Sequence, residues 1–336
     1  MRAPSFWWNE RPSLLAQLLA PAGAVYGFVT ARRMERRGET VGVPVICVGN
    51  FVAGGAGKTP AAIAIAGRLA AAGERPMFVT RGYGGTAAGP LLVDPQTHTA
   101  VEVGDEPLLL ARAAPTVVAR DRVRGARLAA SLGASIVVLD DGLQNPGLTK
   151  TLALAVVDGE TGVGNGLPLP AGPLRASVGA QLPHVDAVVL IGEGAAGERL
   201  AERAAAAGKP VCRGRLRPDA AALAALEGAR VLAFAGIGRP QKFFRTLAQS
   251  GVLVEERVAF PDHHAFGRGE VADMIKRADA RGLVLVTTEK DAVRLAGVSD
   301  LAATRGRVKT LPVTLEVDDA AALDRLLTRA LAGSGA

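Results

Sequence analysis

The chain has 336 residues, 49% of them hydrophobic and 21% charged, which sets aside a disordered chain and allows two α/β domains or one large one. Its net charge is +7, but arginine clusters with interleaved aromatics are absent from the body of the sequence, so nucleic acid is not an expected partner. Cys47 and Cys212 lie far apart in apolar runs, which leaves no disulfide framework and no Cys/His metal cluster and fits a reducing compartment.

Residues 12–31 carry no charge, and Leu14, Leu15, Leu18, Leu19, Ala22, Val25 and Tyr26 recur at helical spacing. Trp7 and Trp8 precede this stretch; Arg32, Arg33, Arg36 and Arg37 follow it. Six Arg less two Glu within residues 1–37 give +4 of the net +7. Aromatic rings before and arginines after suit an interface with anionic lipid. The length just reaches that of a spanning helix, but Pro21, Gly23 and Gly27 weaken a straight one. Residues 1–40 are therefore expected to form a membrane-associated helical segment, on the surface or shallowly inserted; the alternative is a core helix of a soluble domain.

An apolar run at 43–48 leads into Gly49-Asn50-Phe51-Val52-Ala53-Gly54-Gly55-Ala56-Gly57-Lys58-Thr59-Pro60, and an Ala/Ile/Leu helical pattern at 61–72 leads out. Strand, glycine-rich turn, Lys-Thr and helix, in that order, bind a nucleoside triphosphate. Gly54, Gly55, Ala56 and Gly57 offer backbone N–H groups to the phosphates. Lys58 can reach the β/γ-phosphates, and the Thr59 hydroxyl can ligate Mg²⁺. The helix N-terminus adds its partial positive charge, and Pro60 stands in the first turn, where an N–H has no intrahelical partner. The usual spacing wants glycine at 52, where this chain has Val52.

Residues 75–80 read as a strand running into Arg81-Gly82-Tyr83-Gly84-Gly85, at the strand end where open α/β sheets bind ligands. Gly104-Asp105-Glu106-Pro107 lies in a looser segment. Residues 116–119 read as a strand, followed by Asp121, Arg122 and a helix to about 132. The β-branched run 135–139 closes with Asp140-Asp141-Gly142-Leu143-Gln144, a buried strand ending in acids that can hold Mg²⁺. After a strand at 152–157, the Gly/Pro-rich loop 158–175 is long enough to be functional. A strand at 185–191 and a helix at 198–208 follow, and 213–217 reads as a crossing between subdomains. Strands at 231–235, 252–258 and 283–286 and a tail helix at 320–332 complete the pattern. Alternating strands and helices imply a mostly parallel α/β sheet covered on both faces.

Several strings now stand in one order: Gly49-Asn50, Gly54 through Pro60, Arg81-Gly82-Tyr83-Gly84, Gly104-Asp105-Glu106-Pro107, Asp140-Asp141-Gly142-Leu143-Gln144, Pro170-Ala171-Gly172-Pro173-Leu174-Arg175, Phe260-Pro261-Asp262-His263 and Thr287-Thr288-Glu289-Lys290-Asp291. The ordered set, over residues 49–291, resembles the lipid A 4'-kinase (tetraacyldisaccharide 4'-kinase) family, in which Val at position 52 is normal. The resemblance implies a P-loop NTPase-like core at 41–215, a second, smaller α/β lobe at 216–336 that partly returns to the core, and the N-terminal membrane helix. It implies an inner-membrane enzyme, active on the cytoplasmic side, that moves the γ-phosphate of ATP to the 4'-hydroxyl of a tetraacylated glucosamine disaccharide 1-phosphate. No nucleic acid and no obligate protein partner are implied.

By the same resemblance Asp105 is the candidate base, with His263 orienting it or sharing the proton, beside Lys58 on the phosphates. Thr59, with Asp140 or Asp141 and Glu106, would hold Mg²⁺. Arg122 and Arg175 offer planar forks to the anionic substrate or the transferring phosphate; Tyr83 and Gln144 are further substrate candidates. Thr288 to Asp291 match the family without a defined role. Two places depart from the family's pattern: Asn145 and Pro146 stand where His-Tyr is common, and Ala176 where Glu is common. The rival reading is a membrane-associated P-loop GTPase or ATPase switch, although Thr288-Glu289-Lys290-Asp291 lacks the Asn-Lys-x-Asp spacing of guanine readers.

Overall fold

The computed structural model describes residues 3–296 and 306–332. Thirteen strands form two sheets among these residues: β1 Val45–Gly49, β2 Pro76–Thr80, β3 Leu91–Leu92, β4 Thr116–Val118, β5 Ile136–Asp140, β6 Leu152–Asp158, β7 Ala187–Ile191, β8 Val211–Pro218, β9 Arg230–Ala235, β10 Leu253–Ala259, β11 Val284–Thr288, β12 Val308–Leu311 and β13 Val313–Val317. The larger sheet has the order β13-β8-β7-β6-β1-β5-β2-β4-β3 and the smaller β10-β9-β11-β12. The larger sheet is parallel except at its two edges, where β3 and β13 run antiparallel.

Strands β1, β2, β5, β6 and β7 are buried along their whole length, as unbroken apolar runs covered on both faces must be. Period-2 alternation splits their side chains between two cores. Val45 and Cys47 face the helices Arg122–Ser131 and Ala195–Ala206. Ile46 and Val48 face the helices Lys58–Ala71 and Ala320–Ala332. Because β1 and β5 are neighbours in parallel register, Val48 pairs with Asp140. The sheet therefore delivers the glycine-rich turn and the acidic turn to the same edge, side by side.

Two expectations need correcting. Residues 213–217 are not a crossing: they lie in β8, a strand of the larger sheet, where exposed Arg213, Arg215 and Arg217 alternate with residues facing the core. Period 2 is the signal there, and the charges are matched by Glu198, Glu316 and Asp318. Nor is Asp105 in loose chain. It is the first residue of the helix Asp105–Ala111, in whose first turn Pro107 costs no hydrogen bond. The smaller sheet is wholly parallel, and β13 then carries the chain back to the larger one beside β8.

The N-terminal helix, Leu14–Met34, is capped by Ser13 and continues through Pro21. Gly23 and Gly27, one turn apart, form its inner face. A Cβ at Gly23 would lie 2.7 Å from the Pro168 carbonyl oxygen, and one at Gly27 3.0 Å from Pro168 Cγ. The other face is bare: Leu14 and Leu18 are each 79% exposed, and Val25, Phe28 and Val29 are exposed too. By length and composition this helix could cross a membrane, with 17% of its apolar window buried in the protein.

Candidate active site

The glycine-rich turn leaves β1 and closes as the cap of the helix Lys58–Ala71. Gly54 and Gly57 have φ of 127° and 88°, values that a side chain would strain. Val52 needs no such freedom. It is buried and bridges Leu174, while the Ala53 N–H donates to the Pro173 carbonyl and the Arg175 N–H to that of Phe51. The loop is thus tied to Pro173-Leu174-Arg175 by a short strand-like pairing, which is why a β-branched residue suits position 52.

Lys58 turns inward. Its Nζ lies 3.4 Å from the Gly54 carbonyl oxygen and 3.8 Å from Asp141 Oδ1. Asp141 Oδ2 accepts from Arg175 Nη2 at 2.9 Å. Burial would raise the Asp141 carboxyl, but Lys58, Arg175 and Arg122 outweigh it and hold the group below its usual range. Arg122 is buried, not a surface residue; its Nη1 donates to the Ala119 carbonyl and its Nε has no hydrogen-bond partner. Its burial disfavours the charge, while Asp141 favours it.

Asp140 differs from its neighbour. It is 1% exposed and neither carboxylate oxygen has a hydrogen-bond partner. Burial first, then the charge of Glu106, push its carboxyl up to about 7. A buried carboxylate with both oxygens free, at the end of the strand paired with β1, which leads into the phosphate loop, fits a hard cation shared with phosphate oxygens. The other two expected ligands sit against cations, although Asp141 Oδ1 also lacks a hydrogen-bond partner. Asp141 faces Lys58 and Arg175, and Glu106 accepts from Lys290 Nζ at 2.6 Å, which holds its carboxyl low. Glu106 thus enters the site as the ion-pair partner of Lys290.

Residues around the smaller sheet meet those of the larger one here. His263 Nδ1 lies 3.2 Å from Asp105 Oδ2, and Asp105 Oδ1 accepts from the Glu106 N–H. Arg294 Nε donates to the same Oδ2 at 2.8 Å. Burial raises the Asp105 carboxyl, but the His263 hydrogen bond and the charges of Lys290 and Arg294 more than offset it and hold it well below the usual range. His263 is correspondingly raised, chiefly by that hydrogen bond. Tyr83 is exposed, with its ring 5.1 Å from that of His263. His263 (φ 55°) and Asp141 (φ 53°) are the two non-glycine residues of positive φ among those described, and both sit here, where strained backbone tends to concentrate.

Gln144, expected as a substrate candidate, is engaged within the protein. Its Nε2 donates to the Asn50 carbonyl at 2.7 Å and to Gln181 Oε1 at 2.8 Å, and Gln181 Nε2 donates to Phe51 and Ala176 carbonyls. The two amides brace the entry to the phosphate loop. Asn145 caps Gly147, and its carbonyl accepts from Lys150. Ala176 is fully buried beneath Gly27. Sequence reasoning missed Arg294 and gave Lys290 no role. The available signal was their i, i+4 spacing on one face of the helix Glu289–Ala296, opposite two consecutive acids.

The family model for tetraacyldisaccharide-1-P 4'-kinase (LpxK) matches residues 15–332. A tetraacyldisaccharide 4'-kinase from Methylobacterium sp. (strain 4-46) is 57% identical over 335 residues, covering 99% of each chain. One from Methylorubrum extorquens (strain PA1) is 57% identical over 315 residues, covering 94% of each. The crystal structure of LpxK from Aquifex aeolicus in complex with ATP superposes with a TM-score of 0.72 at 25% identity, covering 95% of this chain and 100% of that one. The kinase reading therefore displaces the GTPase or ATPase switch, and the chain belongs to the tetraacyldisaccharide 4'-kinase family of ATP-dependent kinases of lipid A biosynthesis.

Proposed function

We propose that phosphate moves from ATP to the sugar 4'-hydroxyl in the cleft between the phosphate loop and the Asp105–His263 contact. The observation that carries this is the run of facing charges from Lys58 through Asp141, Asp140 and Glu106 to Asp105 and His263, drawn from both sheets. Backbone N–H groups of Gly54 to Thr59 and the Lys58 ammonium would hold the β- and γ-phosphates. Thr59 and Asp140 would hold Mg²⁺, which when bound neutralises charge between those phosphates. Arg175 and Arg122 stand behind Asp141, where a transferring phosphoryl group would meet them. Tyr83 offers a ring face to the sugar.

The attacking hydroxyl must lose its proton. Asp105 Oδ2 already faces His263 and Arg294, so the proton is better shared through the imidazole: Nδ1 stays on Asp105 and Nε2 is left to accept. Lys58→Ala and Asp105→Ala should each abolish most transfer of label from γ-labelled ATP to the lipid A precursor disaccharide. Transfer unchanged in Asp105→Ala removes the pair from the reaction.

The N-terminal helix supports a place for this chemistry at the cytoplasmic face of the inner membrane. Its bare apolar face is followed by Arg32, Arg33, Arg36 and Arg37, which suit anionic headgroups. A four-chain lipid leaves a bilayer only at about 0.8 kcal/mol per CH₂, so an enzyme that goes to it avoids that cost. Flotation with anionic vesicles, lost on deleting residues 1–37, tests this. The same reading divides the chain into the membrane segment 1–40, the larger-sheet core, and a second lobe around the smaller sheet from which β13 and the last helix return.

A further inference from the structure

Arg294 is buried in the second lobe and makes four contacts that no surface ion pair would need. Nε donates to Asp105 Oδ2 at 2.8 Å. Nη2 lies 2.7 Å from the same oxygen, off the hydrogen-bond direction, so it acts there by charge. Nη1 donates to Asp291 Oδ1 at 2.8 Å and to the Gly236 carbonyl at 2.7 Å.

Each of those partners is fixed in turn. Asp291 Oδ1 accepts from the Gly236 N–H, and Oδ2 accepts from the Thr288 hydroxyl. The Gly236 carbonyl also accepts the N–H of His263. One guanidinium therefore touches the Asp105 carboxylate at one end and, at the other, the carbonyl that holds the His263 backbone. Glycine at 236 leaves this cluster uncrowded. A Cβ there would lie 3.1 Å from Asp291 Oδ1 and 3.2 Å from Arg294 Nη1.

Asp105 belongs to the larger-sheet lobe, whereas His263, Gly236, Asp291 and Arg294 belong to the smaller one. The contact between Asp105 and His263 crosses the lobe boundary, and nothing in either lobe alone would set its distance. We propose that Arg294 is a positioning residue for phosphoryl transfer: it pins the Asp105 carboxylate and the His263 backbone to one guanidinium, so that the proton-accepting pair is aligned when the lobes meet. The proposal rests on the reading that Asp105 and His263 accept the hydroxyl proton. Lys290, one turn earlier, does the coarser part by holding Glu106.

The test is steady-state kinetics with γ-labelled ATP and the lipid A precursor disaccharide in detergent micelles, for Arg294→Met, Arg294→Lys, Asp105→Asn and the Asp105→Asn/Arg294→Met double variant. Misalignment of about 1 Å costs roughly 100-fold in rate, so Arg294→Met should lower kcat by about 100-fold with both KM values within about 3-fold. Arg294→Lys keeps the charge and loses the fork; it should still lose about 10-fold, and it carries the test if the Met variant fails to fold. The double variant should be no slower than Asp105→Asn alone, because Arg294 acts through that carboxylate. A kcat within about 3-fold of wild type in Arg294→Lys, a loss confined to KM, or a double variant slower by the product of the two single losses would overturn the proposal. Full activity in Asp105→Asn sinks the underlying base assignment and this inference with it; a slow Asp105→Asn with multiplicative losses sinks this inference alone.

Discussion

Lys58 Nζ sits 3.8 Å from Asp141 Oδ1, while the other oxygen of that carboxylate takes Arg175 at 2.9 Å. One acid at the end of β5 thus spaces the phosphate-loop lysine and the arginine of the Pro-Leu-Arg string on either side of the same point. On the proposed reading, a phosphoryl group arriving there would meet two cations already held apart. Removing Lys58 should therefore act on the transfer step. Lys58→Ala is expected to lower kcat by roughly 100–1,000-fold, the loss typical of a charge aimed at the transition state. Label transfer within about 10-fold of wild type would rule out that role.

Asp105 and His263 give the site a pH signature. His263 keeps its proton to higher pH than a free imidazole because Asp105 accepts from it. A raised folded-state pKa gives stabilisation that is full below about 6.5 and is lost as pH rises through the elevated value. Asp105 runs the other way. Held below its usual range, it contributes above about 3.9 and loses that contribution as pH falls through the depressed value. The stability difference between wild type and Asp105→Asn should be widest between about pH 4 and 6.5 and should narrow on the alkaline side. Denaturant unfolding across pH 4–9 measures it; a flat difference contradicts the pairing.

Much of the fold was legible because its strands are unbroken apolar runs with sharp turn chemistry at their carboxyl ends. Gly54 to Thr59 and Asp140-Asp141 announce phosphate and metal through residue type alone. What sequence could not show is which acid stays free. Asp140, Asp141 and Glu106 look alike along the chain, and only the placement of Lys58, Arg175 and Lys290 separates them. The Arg294 contact was hidden for a related reason: it stands 189 positions along the chain from Asp105, and its signal was a one-turn spacing that needs the facing helix to acquire meaning. β8 was missed because 213–217 was read as a crossing, and the period-2 alternation of its arginines was not used.

A second junction between the segments of the two sheets lies beside the phosphate loop. Asp158, buried at the end of β6, accepts from both Arg239 and Lys242, the latter at 2.6 Å. A Cβ at Gly238, one residue before Arg239, would stand 3.9 Å from the Gly55 nitrogen. Either cation alone leaves the buried carboxylate paired. Arg239→Ala and Lys242→Ala should therefore each cost about 1 kcal/mol, while the double variant should cost about 3–5 kcal/mol by stranding the acid. Thermal unfolding of the three variants decides this, and simple additivity would show that the two cations do not share one partner.

The N-terminal helix is joined to the chemistry through Pro168. Gly23 and Gly27 press on that residue, and the segment after it pairs with the phosphate loop at Val52 and Leu174. Trp7 adds a second tie through its indole N–H to the Pro170 carbonyl. The two faces of the helix should therefore separate in their effects. Leu18→Ser touches only the bare face, so it should weaken flotation with vesicles and leave activity on detergent-solubilised substrate within about 2-fold, as a surface change does. Gly23→Val forces a side chain against the Pro168 carbonyl, a backbone atom that cannot yield without moving the loop. It should lower detergent activity by roughly 10–100-fold through displacement of the loop, with vesicle binding retained. If Gly23→Val and Leu18→Ser shift the two readouts in parallel, the helix is an anchor and nothing more.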